Sequence, residues 1–134
     1  MKVFLGGTAN NSNWRNYIIK NIKMDYFDPI VENWDEEAKQ QEILERGLCD
    51  WVLYVISPKM IGVYSIAEAV YDACKRPGKT LFCVLETDEE YEFSSHQISS
   101  LKSTEKLIES CGARVFNNLD EIINFLNFVY EKHI

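Results

Sequence analysis

A chain of 134 residues with 46% hydrophobic and 26% charged residues is the size of one domain with a real core. Its formal net charge of −7, without a cluster of Lys and Arg, argues against an electrostatic grip on nucleic acid and leaves small molecules and proteins as partners. No apolar run approaches the roughly 20 residues needed to cross a bilayer, and MKVFLGGTANN turns polar too early for a secretory signal, so no membrane contact and a cytoplasmic location are expected.

KVFLGG (2–7) reads as a buried strand that ends in a glycine turn. In NWRNYIIKNI (13–22), Trp14, Tyr17, Ile18 and Ile22 fall on one face at helical spacing. YFDPIV (26–31) is a short second strand, and Pro29 places it at an edge or ends it early. DEEAKQQEILERGL (35–48) opens acidic and closes on Arg46-Gly47, the charge order a helix dipole favours.

WVLYVIS (51–57) is the most strand-like run, and its unbroken apolar character implies cover on both faces, as in a parallel sheet. SIAEAVYDACK (65–75) follows as a helix stopped by Arg76-Pro77-Gly78, and KTLFCVLE (79–86) as a fourth strand. The acidic TDEEYEFSS (87–95) reads as an exposed loop. QISSLKSTEKLIESC (97–111), ARVF (113–116) and LDEIINFLNFVYEKH (119–133) complete the chain as helix, strand and helix.

Five strands, each followed by a helix, favour one domain over 1–134, an open α/β sheet with right-handed crossovers and helices on both faces. In that architecture ligands bind beyond the carboxyl ends of the strands, where strand order reverses. For the order 2-1-3-4-5 this crevice lies between the ends of strands 1 and 3, which carry GGTANN and SPKMIGVYS.

Glu68 stands beside that crevice and has two readings. Ser65-Ile66-Ala67-Glu68 matches a capping box, in which Ser and Glu satisfy each other's backbone amides at a helix start. Alternatively, a carboxylate in a first helical turn, favoured as the ion by the helix dipole, attacks the anomeric carbon of a sugar and forms a covalent glycosyl intermediate.

Several short motifs bear on the choice: Val3 to Thr8 (VFLGGT), Trp14-Arg15, Asp28-Pro29, Trp34, Cys49-Asp50, and Gly62 to Glu68 (GVYSIAE). In order and spacing this set resembles the nucleoside 2-deoxyribosyltransferases and their short relatives, well over roughly residues 2 to 85 and in outline beyond. The resemblance implies a flavodoxin-like sheet and N-glycosidic cleavage or transfer on a nucleoside or nucleotide, by a hydrolase or 2-deoxyribosyltransferase. It places Glu68 as the nucleophile and Glu42 as a second acid near the substrate. Read from the residues alone, Glu42 is one more charge on an acidic helix. Three positions depart from the family pattern: Gly62 where the transferases carry a base-contacting Asp, Phe4 in place of an aromatic hydroxyl, and Val70 in place of a glycine. These departures favour hydrolysis over base exchange. They also sustain an alternative, a nucleotide-binding or sensing module that uses the same crevice without turnover.

The remaining candidates are binding residues. Gly6 and Gly7 permit a tight turn and close approach of backbone to a ligand, and Thr8 offers a hydroxyl from that turn. Ser57, Gly62 and Ser65 surround a helix N-terminus, a natural anion site. Asp28 binds a hydroxyl or shapes a turn. Trp14 and Trp34 are divided between stacking on a base and the core, the commoner place for Trp. No Walker loop or GxGxxG is present, and no cofactor is implied. The cysteines, at 49, 74, 83 and 111, lack metal-ligand spacing, and Cys74 and Cys83 sit in apolar surroundings that suit core thiols, so no metal is expected. His96 and His133 read as surface residues. Relatives that complete their sites with a neighbouring copy make a homo-oligomer an expectation. The apolar helix 119–133 is either such an interface or a buried closing element.

Overall fold

The computed structural model describes residues 1–9 and 11–133; Asn10, in the expected turn after the first strand, lies outside them. Strands β1 (Lys2–Gly7), β2 (Asp25–Phe27), β3 (Trp51–Ile56), β4 (Thr80–Val84) and β7 (Arg114–Phe116) form an all-parallel sheet of order β2-β1-β3-β4-β7. The expected order 2-1-3-4-5 changes at its last place. Two short strands, β5 (Thr87–Asp88) and β6 (Tyr91–Glu92), pair antiparallel as a separate ribbon where the sequence reading placed a loop. The fifth place in the sheet therefore falls to the seventh strand of the chain.

The central strands form because both their faces are covered. On one face Phe4, Tyr54 and Phe82 pack under α3 (Tyr64–Lys75) and α4 (Ser95–Ser110) with Ala69, Ala73, Leu101 and Ile108. On the other, Val3, Leu5, Leu53 and Leu81 meet Ile18 of α1 (Trp14–Asn21) and Ile122 and Leu126 of α5 (Leu119–His133). Each such side chain taken out of water contributes about 1.5–3 kcal/mol. The last helix is thus a closing element of the core, with Phe128 left exposed on its outer side.

Ends follow local chemistry. β2 stops at Phe27, before Pro29, because Asp28 turns the chain by accepting the Ile30 N–H at 3.0 Å. α2 (Glu36–Leu48) is capped by Asp35, whose Oδ1 accepts the Ala38 N–H at 2.8 Å. α4 carries a full capping box, Ser94 with Gln97. Cys83 is buried, and burial pushes its thiol up to about 12. Cys74, expected in the core, is instead exposed at the end of α3, with its Sγ 3.4 Å from that of Cys111. Among the described residues no helix is long and apolar enough to cross a membrane.

Candidate active site

The carboxyl ends of β1 and β3 open onto two adjoining hollows of about 480 and 320 Å³. Gly7, Ala9, Trp34, Glu42, Ser65 and Glu68 line both. Gly7 is required there. Its φ is +113°, and an added Cβ would lie 2.1 Å from the Val55 carbonyl oxygen. At Gly6 a Cβ would meet the Tyr54 ring at 2.8 Å. Both glycines let β1 end close against β3. The turn is then fixed by Thr8, whose N–H donates to Val55 O at 2.9 Å and whose Oγ1 accepts the Ser57 N–H at 2.9 Å.

The Trp14-Arg15 pair holds the same turn from the other side. Trp14 is buried, and its Nε1 donates to Thr8 O at 2.8 Å. Arg15, also buried, donates to the carbonyls of Leu5, Thr8 and Gly7 at 3.0, 2.6 and 3.2 Å, and lies 3.6 Å from Asp28. Burial pulls its guanidinium down to about 10, with Asp28 and Glu42 opposing. Asp28 therefore shapes a turn and pairs with Arg15, and it lines neither hollow. Ser57 is also absent from their walls. It is fully buried, and its hydroxyl donates to Asp88 at 2.6 Å. Gly62 lines the larger hollow, with nothing within 4 Å of where its Cβ would be.

The capping reading of Glu68 does not hold. α3 begins at Tyr64 with Val63 as its N-cap, no side chain caps it, and Ser65 lies inside the first turn. Glu68 falls in the second turn, and its carboxylate faces Arg46, with Oε2 3.4 Å from Nη1. Burial raises its pKa above the usual carboxylate range; Arg46 works against this, and Glu42 and Asp72 add to it. The ionising push expected from the helix end is outweighed. Glu42 is raised too, again by burial, with Arg46 and Arg15 opposing.

Trp34 is 56% exposed at the mouth, not in the core, because it rides the segment between β2 and α2 above the open strand ends. Lys39, Arg46 and Tyr64 supply further polar lining to the larger hollow beside the apolar Ile43, Ile56 and Met60, and none of these was a site candidate from the sequence. A signal for Arg46 existed. It stands four residues after Glu42, on the same helical face. Behind the hollow Arg46 Nε donates to Tyr54 Oη at 2.9 Å and to Asp72 at 3.1 Å, and Tyr54 Oη donates to Asp72 at 2.5 Å. A separate hollow of about 380 Å³ at the ends of β4 and β7 is lined by Glu86, Lys102 and Glu105 and contains no candidate residue.

A parallel α/β domain with two half-buried acids at a strand-end crevice has its hollow where open-sheet folds bind their ligands. The chain belongs to the nucleoside 2-deoxyribosyltransferase-like family, whose model matches residues 1–87. No curated protein and no solved structure gave a match. The family indicates a nucleoside as the class of ligand and a related enzymatic role.

Proposed function

We propose that the protein cleaves or transfers an N-glycosidic bond of a nucleoside or nucleotide, with Glu68 as nucleophile and Glu42 as the partner acid. Membership of the family supports this reading. The observation that carries it is the shared hollow in which Glu42 and Glu68 stand beneath an exposed Trp34.

In this reading the ionised Glu68 forms a bond to C1′ as the C1′–N bond breaks and its electron pair leaves on the base. Protonated Glu42 supplies the base with a proton. Water then attacks C1′, displaces the carboxylate and returns a proton to Glu42. Gly7 and Thr8 border the sugar, Ser65 and Gly62 the opposite wall, and Trp34 covers the base. Gly62, open and without a side chain, supplies no base-contacting acid, which favours water over a second base as acceptor.

The same feature supports a second reading, a sensing module that binds without turnover. Incubation with deoxynucleosides, nucleoside monophosphates and NAD, followed by chromatography for free base, decides between them. Release that falls about 10³-fold or more in Glu68→Gln is expected. Tight binding with no release by the wild-type chain would establish the module instead.

A further inference from the structure

Arg46 has two faces. One nitrogen, Nη1, lies 3.4 Å from Oε2 of Glu68, while Nε points the other way to Tyr54 and Asp72. Asp72 is 2% exposed and stands one turn after Glu68 on α3. Its other oxygen accepts from Arg76 at 3.3 Å, and Arg76 Nη2 also donates to the Arg46 backbone carbonyl at 2.7 Å. Asp72 is thus met by Arg76 and the Tyr54 hydroxyl as well as by Arg46, and the far side of the Arg46 guanidinium is the part that reaches Glu68.

We propose that Arg46 is a positioning residue for Glu68: its guanidinium, fixed from behind by Asp72 and Tyr54, holds one carboxylate oxygen and leaves the other free for the hollow. The proposal rests on reading Glu68 as the acid that meets the sugar. A planar fork with donors on opposite sides can span the two acids, whereas an ammonium is a single point charge. The groups that act on the charge of Glu68 are Arg46 and Glu42 from α2 and Asp72 from its own helix, with the Tyr54 hydroxyl of β3 close by, while Lys39, Arg15, Tyr64 and Tyr71 stand on the walls of hollows that Glu68 also lines. Arg46 is the cation that pairs with Glu68 and opposes the rise of its pKa. Its removal therefore leaves Glu68 facing two acids in a half-buried site.

The test is a nuclear magnetic resonance titration of carboxyl-labelled Glu68, assigned by its loss in Glu68→Gln and repeated in a Glu42→Gln background to separate the two acids. In the wild-type chain the Arg46 side-chain signals are expected to move with the Glu68 midpoint. In Arg46→Met that midpoint is expected to rise. Arg46→Lys is expected to bring it back toward wild type while kcat for base release stays about 10- to 100-fold low at nearly constant KM. Arg46 signals that stay flat through the Glu68 titration, or a midpoint unmoved in Arg46→Met, overturn the proposal. If Arg46→Met does not fold, the wild-type titration alone decides. If the wild-type chain releases no base, the titrations still decide the contact, and that failure belongs to the reading of function.

Discussion

A methyl group at Gly7 would sit 2.1 Å from a backbone oxygen in a conformation with φ of +113°, so two independent penalties meet at one atom. Gly7→Ala is expected to cost more than about 3 kcal/mol, or to prevent folding, as read by chemical denaturation. The acids behave differently. Glu68 and Glu42 both titrate above the usual carboxylate range because burial disfavours their charge, only partly offset by Arg46. In the pH window between the unfolded and the raised folded values, the folded chain therefore holds protons that the unfolded chain has released. Stability from these two groups is fully present below the unfolded carboxylate pKa and is lost as pH rises through the raised folded values. Glu68→Gln is accordingly expected to raise Tm at neutral pH. That gain should fade in acid, checked by melting curves from pH 4 to about pH 7. The proposed mechanism needs the ionised Glu68, so the activity it predicts follows the same ionisation with the opposite sense. Its acid limb should rise through the Glu68 midpoint and so lie above the ordinary carboxylate range.

Among elements, the central strands were legible because a run such as WVLYVI, covered on both faces, leaves little else for the chain to do. The ribbon of β5 and β6 was not. Its turn is Glu89-Glu90, with φ of 56° at Glu89, and no Asn-Gly or Asp-Gly marks it in sequence. Capping was read at the wrong helix. Ser65 and Glu68 have the spacing, but Ser94 and Gln97 make the bonds, since α3 starts one residue earlier. Ser94→Ala is expected to cost about 1 kcal/mol, or roughly 4 °C in Tm, whereas Ser65→Ala should leave Tm unchanged. The charge ladder between α2 and α3 was equally hidden, because Arg46 and Asp72 are separated by 26 residues and only the fold pairs them. This ladder is one of the polar ties on α2, with the Lys2–Glu45 ion pair at 2.8 Å another, in a helix that buries none of its residues and leaves Ile43, Leu44 and Leu48 exposed. Trp34, carried on the segment before α2, is more than half exposed and belongs to neither apolar core layer. Trp34→Ala is expected to weaken nucleoside binding about tenfold without lowering Tm, measured by calorimetric titration and melting.

At the scale of the molecule, alternation of strands and helices disclosed the α/β class and the end of the sheet where a site belongs, and Glu42 and Glu68 do line that crevice together. What stayed hidden was the division of labour among polar residues. Ser57 and Asp28, chosen for their position, are engaged by side chains elsewhere in the chain, Asp88 and Arg15, that position alone does not reveal. The two apolar layers share one sheet, so heat unfolding is expected to be a single transition, coincident by far-ultraviolet circular dichroism and by tryptophan fluorescence.

Asp88 adds a practical consequence. Its Oδ2 accepts the hydroxyls of both Ser12 and Ser57 at 2.6 Å, and Lys59 lies at 4.0 Å, so one carboxylate staples three segments at the rim. It lies one residue past the stretch that the family shares. An excised 1–87 fragment would keep both acids yet lack this staple, the β7 edge strand and both closing helices. The two acids would survive such trimming, and much of the frame around them would not.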